Sequence, residues 1–213
     1  MNDNIKVQQS KIRIIIIFSL ISLIGLSIPI INYFYKYEVA ECLRSSKFVN
    51  KKIDTDIPLI YENGNNVVLS NLLDKYNLIY FGYSFCPDVC PIDLGRNIEA
   101  IELLGERSVG VLPIFITVDP ERDTAERLNE YTNLFDYRLL GLTGTEDQIK
   151  VAKKNFMVFS AKNNSTTNYL VDHSTFSYLV NQSGQLLKYF KRNDTPQYIT
   201  DQIECLIKNE NNA

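Results

Sequence analysis

Two uninterrupted apolar runs, LIYFGY at 78–83 and LPIFITV at 112–118, constrain this chain more than any other feature. Aromatic and β-branched residues without polar alternation suit strands covered on both faces, so both runs read as central strands of a sheet with layers on either side. Between them Ile92, Leu94, Ile98, Ile101 and Leu104 recur at helical spacing. The segment is therefore a strand, helix, strand unit with a right-handed crossover. A second helix is expected at 124–135, a short strand at 138–142, and a third helix at about 145–155, capped by the Thr145 hydroxyl. IPLIY at 57–61 and VVL at 67–69 flank Asn63-Gly64 as a small hairpin, after which Ser70 can cap a short helix. The polar KNNSTTN at 162–168 reads as an exposed loop. FSYLVN at 176–181 and QLLKYF at 185–190, joined through Ser183-Gly184, form a second hairpin, and Thr195-Pro196 opens a terminal helix. The whole is a compact α/β sandwich.

Ahead of this pattern, Ile14 to Ile31 reads IIIIFSLISLIGLSIPII, uncharged and about as long as a helix needs to cross a hydrocarbon core. A retained anchor is expected over 12–35, with Tyr33, Tyr35 and Tyr37 at or beside the interface. A cleaved signal peptide fits less well: with Ala40 last before the cut, the charged Glu38 would fall where a small residue belongs. Glu41 likewise argues against a lipoprotein site at Cys42. Lys6, Lys11 and Arg13 precede the span, while Lys36, Arg44, Lys47, Lys51 and Lys52 follow it, a mixed positive-inside count. A short tail before a long translocated domain favours residues 1–11 inside and the domain outside, in the bacterial periplasm. Residues 36–55 then form a tether, 56–208 the domain and 209–213 a tail. Residues 1–52 carry 8 Lys/Arg against 3 Asp/Glu, leaving 14 against 22 for the remainder. So acidic a domain lacks the basic footprint of a nucleic-acid partner.

The chemistry concentrates in FCPDVCP, where Cys86 and Cys90 follow the first central strand at the mouth of the next helix. Backbone N–H groups and the positive dipole end there favour thiolate over thiol. At i, i+4 spacing the sulfurs can face the same way, to chelate one ion or, with adjustment, to form a disulfide. Two inert core cysteines are the alternative. His173 is the only histidine, and a lone histidine is commonly a surface or core residue. However, a loop entering a late strand of such a fold reaches the mouth of the first βα unit, with Asp172 and Ser174 at hand to orient the ring. Two thiolates and an imidazole suit copper or zinc. Structural zinc would want a fourth protein ligand, for which Asp88 is available, and three donors fit Cu(I) better. Thr117, Asp119, Pro120, Glu121 and Asp123 read either as a helix-capping acidic turn or as a docking rim on the same edge. Cys42 and Cys205 are expected to be unrelated to the site, Cys205 as a small core hydrophobe.

These stretches closely resemble the Sco/SenC copper proteins of cytochrome c oxidase assembly: YFGYSFCPDVCP at 80–91, FITVDPERDT at 115–124, GLTG at 141–144 and VDHSTFSYLVNQSG at 171–184. Phe85, where many relatives have a histidine, and Asn181-Gln182, in place of a commoner proline-containing turn, depart from the pattern. The resemblance implies a thioredoxin-like fold with an added hairpin, preceded by one transmembrane helix. It implies copper held by Cys86, Cys90 and His173, with Asp172 behind the ring. It also implies delivery of copper to, or thiol reduction at, the copper-site subunit of cytochrome c oxidase, other copper or thiol-redox proteins being further partners. A metallochaperone is thus expected rather than an enzyme. A thiol:disulfide oxidoreductase is the alternative, although the gap of three residues between the cysteines departs from the two of the thioredoxin motif.

Overall fold

The structure, a computed structural model, describes residues 16, 19, 22, 25–30, 33, 42, 51–163 and 169–210. The chain divides into two units, 1–44 and 45–213. Described residues of the first are helical, and among the described residues no helix is long and apolar enough to cross a membrane. The expected tail at 1–11 lies outside the described residues. So do most of the expected anchor and tether, residues 211–213 and positions 164–168 of the expected loop.

The second unit is built on one eight-stranded sheet. Its first strands are β1 (Lys51–Lys52), β2 (Pro58–Tyr61), β3 (Asn66–Val68) and β4 (Tyr76–Gly82). Next come α1 (Val89–Glu102), β5 (Val111–Thr117), α2 (Ala125–Thr132), β6 (Leu140–Thr143) and α3 (Glu146–Asn155). The chain closes with β7 (Ser160–Lys162), β8 (Val171–His173), β9 (Ser177–Val180), β10 (Gln185–Phe190) and α4 (Pro196–Glu210). The strand order is β1-β10-β9-β4-β5-β6-β2-β3, while β7 and β8 pair separately as a two-stranded sheet. β4, β5 and β6 run parallel and β9 pairs antiparallel with β4. With α1 crossing from β4 to β5 and α4 following the β9–β10 hairpin, the order β10-β9-β4-β5 is the thioredoxin-like arrangement.

Every residue of β4 is buried, and because successive side chains alternate faces, the sheet is covered on both sides as the apolar run required. Phe81 clusters with Phe156 and Tyr178 at ring separations of 5.2 and 6.0 Å. Tyr80, on the opposite face, stacks toward Phe115 at 6.4 Å, and Phe115 toward Tyr131 at 5.5 Å. The helix starts follow their caps. Thr124 accepts from Arg127 N at 3.2 Å, Thr145 and Gln148 form a capping box, and Thr195 Oγ1 accepts from Tyr198 N at 3.2 Å. At the expected Asn63-Gly64 turn, Gly64 has φ +85°, and Gly184 closes the late hairpin with φ +75°. Both glycines supply the left-handed conformation such turns demand.

Several details differ from expectation. Ser70 lies inside a 3-10 turn at Leu69–Leu72 and donates to Asp56 instead of capping a helix. Ile92 is exposed although its spacing matches the core face of α1. The second helix ends at Thr132, short of Phe135, whose N–H turns back to the Thr132 carbonyl. Lys162 belongs to β7 rather than to a loop, and within the expected tether β1 joins the sheet edge.

Candidate metal centre

Cys86 and Cys90 lie on the segment that turns from β4 into α1. Gly82 ends the strand, and Cys86 N–H bonds back to the Tyr83 carbonyl at 3.2 Å. The residue at the N-cap position of α1, Asp88, makes no side-chain capping bond. Instead Cys86 Sγ accepts from the Cys90 N–H at 3.3 Å, so a sulfur fills the place of a capping oxygen. β8 brings His173 from 83 residues away, with Nε2 3.3 Å from Cys90 Sγ. The donor atoms of Cys86, Cys90 and His173 all lie within 4.8 Å of one another. Cys90 is fully buried and Cys86 half-buried, and both are free thiols.

The electrostatics separate the two sulfurs. A hydrogen bond with the Cys90 thiol, aided by His173 and by the N–H groups of Cys90 and Asp88, pulls the Cys86 pKa down to about 3 against the opposing effect of burial. Cys90 is pushed up, first by its bond with Cys86 and then by burial. Cys86 therefore ionises first and Cys90 keeps the proton. His173 Nδ1 bonds the Ser174 carbonyl at 2.8 Å. Since a carbonyl only accepts, Nδ1 carries a hydrogen toward Ser174, and Nε2 is the ring nitrogen that faces the sulfurs.

A polar and aromatic shell fixes the three elements. Tyr80 and Tyr83 meet the His173 ring edge-on, at 6.2 and 5.8 Å. Tyr83 Oη also accepts from the Val171 N–H of β8 at 3.2 Å. Asp123 is fully buried and receives Ser84 N–H at 3.0 Å and the hydroxyls of Ser84 and Thr117 at 2.6 Å each, tying the segment after β4 to β5. Burial nonetheless raises its pKa, those bonds acting against it. Arg122 Nε donates to Asp119 at 2.6 Å, and its guanidinium lies over the rings of Tyr169, Phe85 and Tyr83 at 3.7, 4.8 and 5.7 Å. Tyr169 donates to Asp119 at 2.7 Å.

The structure thus brings together Cys86, Cys90 and His173, and it corrects several of their expected helpers. Asp172 is exposed, because alternation along β8 turns it away from His173, and the ring is oriented by the main-chain carbonyl of Ser174. The Ser174 hydroxyl instead accepts the Phe159 N–H. Asp88 is exposed and lies outside the donor cluster. In the acidic segment, Thr124 alone caps α2, whereas Thr117, Asp119 and Asp123 are buried braces and Glu121 pairs with Lys162. Pro120 is only half-buried beside them. Cys205 is disulfide-bonded rather than a packed thiol, and neither it nor Cys42 belongs to the cluster. Sequence reasoning missed Tyr80, Tyr83, Arg122 and Tyr169. Within an aromatic-rich strand and a polar loop, nothing distinguishes a ring that lines a site from one that fills a core.

The sequence model of the SCO1/SenC family matches residues 47–208. A SCO2-like protein of Rickettsia felis is 37% identical over 92% of this chain and 97% of its own length. Protein SenC of Rhodobacter capsulatus is 40% identical over 79% of this chain and 76% of its own. Among solved structures, Arabidopsis thaliana ScoI with copper bound superposes with a TM-score of 0.68 at 35% identity, covering 71% of this chain and 96% of that one.

Proposed function

The chain belongs to the SCO1/SenC family, and on that footing we propose that it is a membrane-anchored copper carrier whose cargo is held by Cys86, Cys90 and His173. The observation that carries the proposal is the convergence of two free sulfurs and one imidazole nitrogen within 4.8 Å. Two soft sulfur donors and an imidazole nitrogen fit Cu(I), and among the described residues no carboxylate joins them as the hard oxygen ligand of other metals would. A thiolate at Cys86 is ready to bind without first losing a proton, and Cys90 releases its proton as metal replaces it. Transfer then proceeds by exchange of these ligands for the thiolates of an acceptor, the copper-site subunit of cytochrome c oxidase. The apolar run at 14–31 supports an anchor in the bacterial inner membrane with the acidic domain in the periplasm.

A second reading has one specific observation in its favour. Cys86 and Cys90 are both free, adjacent and unequally acidic, as a pair that reduces a partner's disulfide must be. His173 separates the two, because sulfur exchange needs no imidazole ligand. In a cell lacking the protein, His173→Ala is expected to fail to restore copper insertion into the oxidase, while its cysteine pair still oxidises and reduces. Full restoration by His173→Ala, with Cys86→Ser inactive, would replace the carrier by the reductase.

A further inference from the structure

Asp93 follows Cys90 by three residues, on the same side of α1, and is completely buried. None of the three donors is its hydrogen-bond partner, and copper carriage as described makes no use of it. Burying a carboxylate is costly, and a buried ion pair is weak support for a fold. Its ion pair is also loose. Arg96 Nη1 stands 3.4 Å from Oδ1 while donating to the Lys191 carbonyl at 2.9 Å, and Nη2 is engaged by Asn97 and Ser177. Asp93 Oδ1 has no hydrogen bond. The bond that Asp93 does accept, on Oδ2, comes from the Tyr80 hydroxyl at 3.1 Å.

Tyr80 is wedged under the centre. Its ring meets His173 edge-on, with 79° between the planes. A Cβ placed on Gly82 would lie 2.9 Å from both Tyr80 Cε1 and Cys90 Sγ, so ring and sulfur close over the bare glycine. The other phenol beside His173, Tyr83, is pinned to β8 by the Val171 N–H. Tyr80 is pinned to α1 by Asp93. The imidazole is thus held between two rings, each tethered through its hydroxyl to one of the elements that deliver a donor.

We infer that Asp93 is a positioning residue of the metal centre, acting through the Tyr80 hydroxyl to set the ring against which His173 and Cys90 meet. The inference rests on the copper reading of the site. Partners behind a metal's ligands change affinity by about tenfold or more when removed.

The test uses the full-length chain as wild type, Asp93→Asn, Asp93→Leu, Tyr80→Phe, and Asp93→Leu combined with Tyr80→Phe. Two quantities are read: Cu(I) affinity in competition with a chromophoric chelator, and the position of the sulfur-to-copper absorption band after loading with Cu(II). Asp93→Leu and Tyr80→Phe are each expected to weaken binding by roughly tenfold and to move the band. The double variant should be no weaker than the weaker single, and Asp93→Asn, which keeps a carbonyl acceptor, should stay close to wild type. Tyr80→Phe retains the ring, so it decides the matter even where Asp93→Leu fails to fold. Unchanged affinity and band in Tyr80→Phe, or single effects that simply multiply in the double variant, would overturn the inference. Wild type that binds no copper is a separate result, which overturns the copper reading itself.

Discussion

Cys86 does two jobs with one atom, since its sulfur is both a donor of the cluster and the acceptor for the first turn of α1. Because its pKa is drawn down, the thiolate persists at every pH above that value. An ordinary thiol, with a pKa near ~8.5, loses about tenfold in alkylation rate per pH unit below it. The Cys86 rate with iodoacetamide is expected to stay nearly flat from about pH 8 to about pH 5, with Cys90 reacting slowly throughout. A tenfold fall per unit would contradict the hydrogen-bond arrangement. Asp123→Ala strands three buried donors on Ser84 and Thr117, and should cost about 3 kcal/mol in urea unfolding. A loss under about 0.5 kcal/mol would mean that Asp123 does not brace the segment. At this scale the three donors were legible because thiols and a lone imidazole are rare and chemically distinctive. The braces were not. Asp123 beside Thr124 reads as a capping turn, and only the fold reveals that one points inward and the other caps. Asp172 was misread for a related reason: adjacency to His173 in sequence means opposite faces on a strand.

Among the elements, the parallel pair β4–β5 and the β9–β10 hairpin were readable because long apolar runs and glycine turns are local signals. β7 and β8 were not. Ser160-Ala161-Lys162 is short and largely exposed, and its partner begins nine residues later at Val171, so neither strand carries a periodicity of its own. Yet β8 is the element that delivers His173. The junction of β4 with α1 is equally demanding. Gly82 leaves room where Cys90 Sγ, Tyr80 and Phe115 close in, each 2.9 Å from the position a Cβ would take. Gly82→Ala is therefore expected to destabilise the domain by about 1–3 kcal/mol. The same variant should also weaken copper binding, since relief of the clash must move the sulfur or the ring. Thermal unfolding together with chelator competition checks both, and unchanged values would show that the junction has slack.

For the whole molecule, the proposed carrier holds its apolar segment in a membrane and its acidic domain outside, and the mixed distribution of flanking lysines makes orientation a matter for measurement. A reporter enzyme that folds only outside the cytoplasm, fused after Ala213, should be active, and a cytoplasmic reporter at the same junction inactive. The reverse pattern would place the cysteines on the wrong side of the membrane for oxidase assembly. The copper content of the purified, reduced full-length protein tests the central claim most directly. Elemental analysis after dialysis against a competing chelator should give about one Cu(I) per chain, three-coordinate in sulfur and nitrogen, with tight binding lost in both Cys86→Ser and Cys90→Ser. Full copper retention in both variants would contradict the assignment of the site.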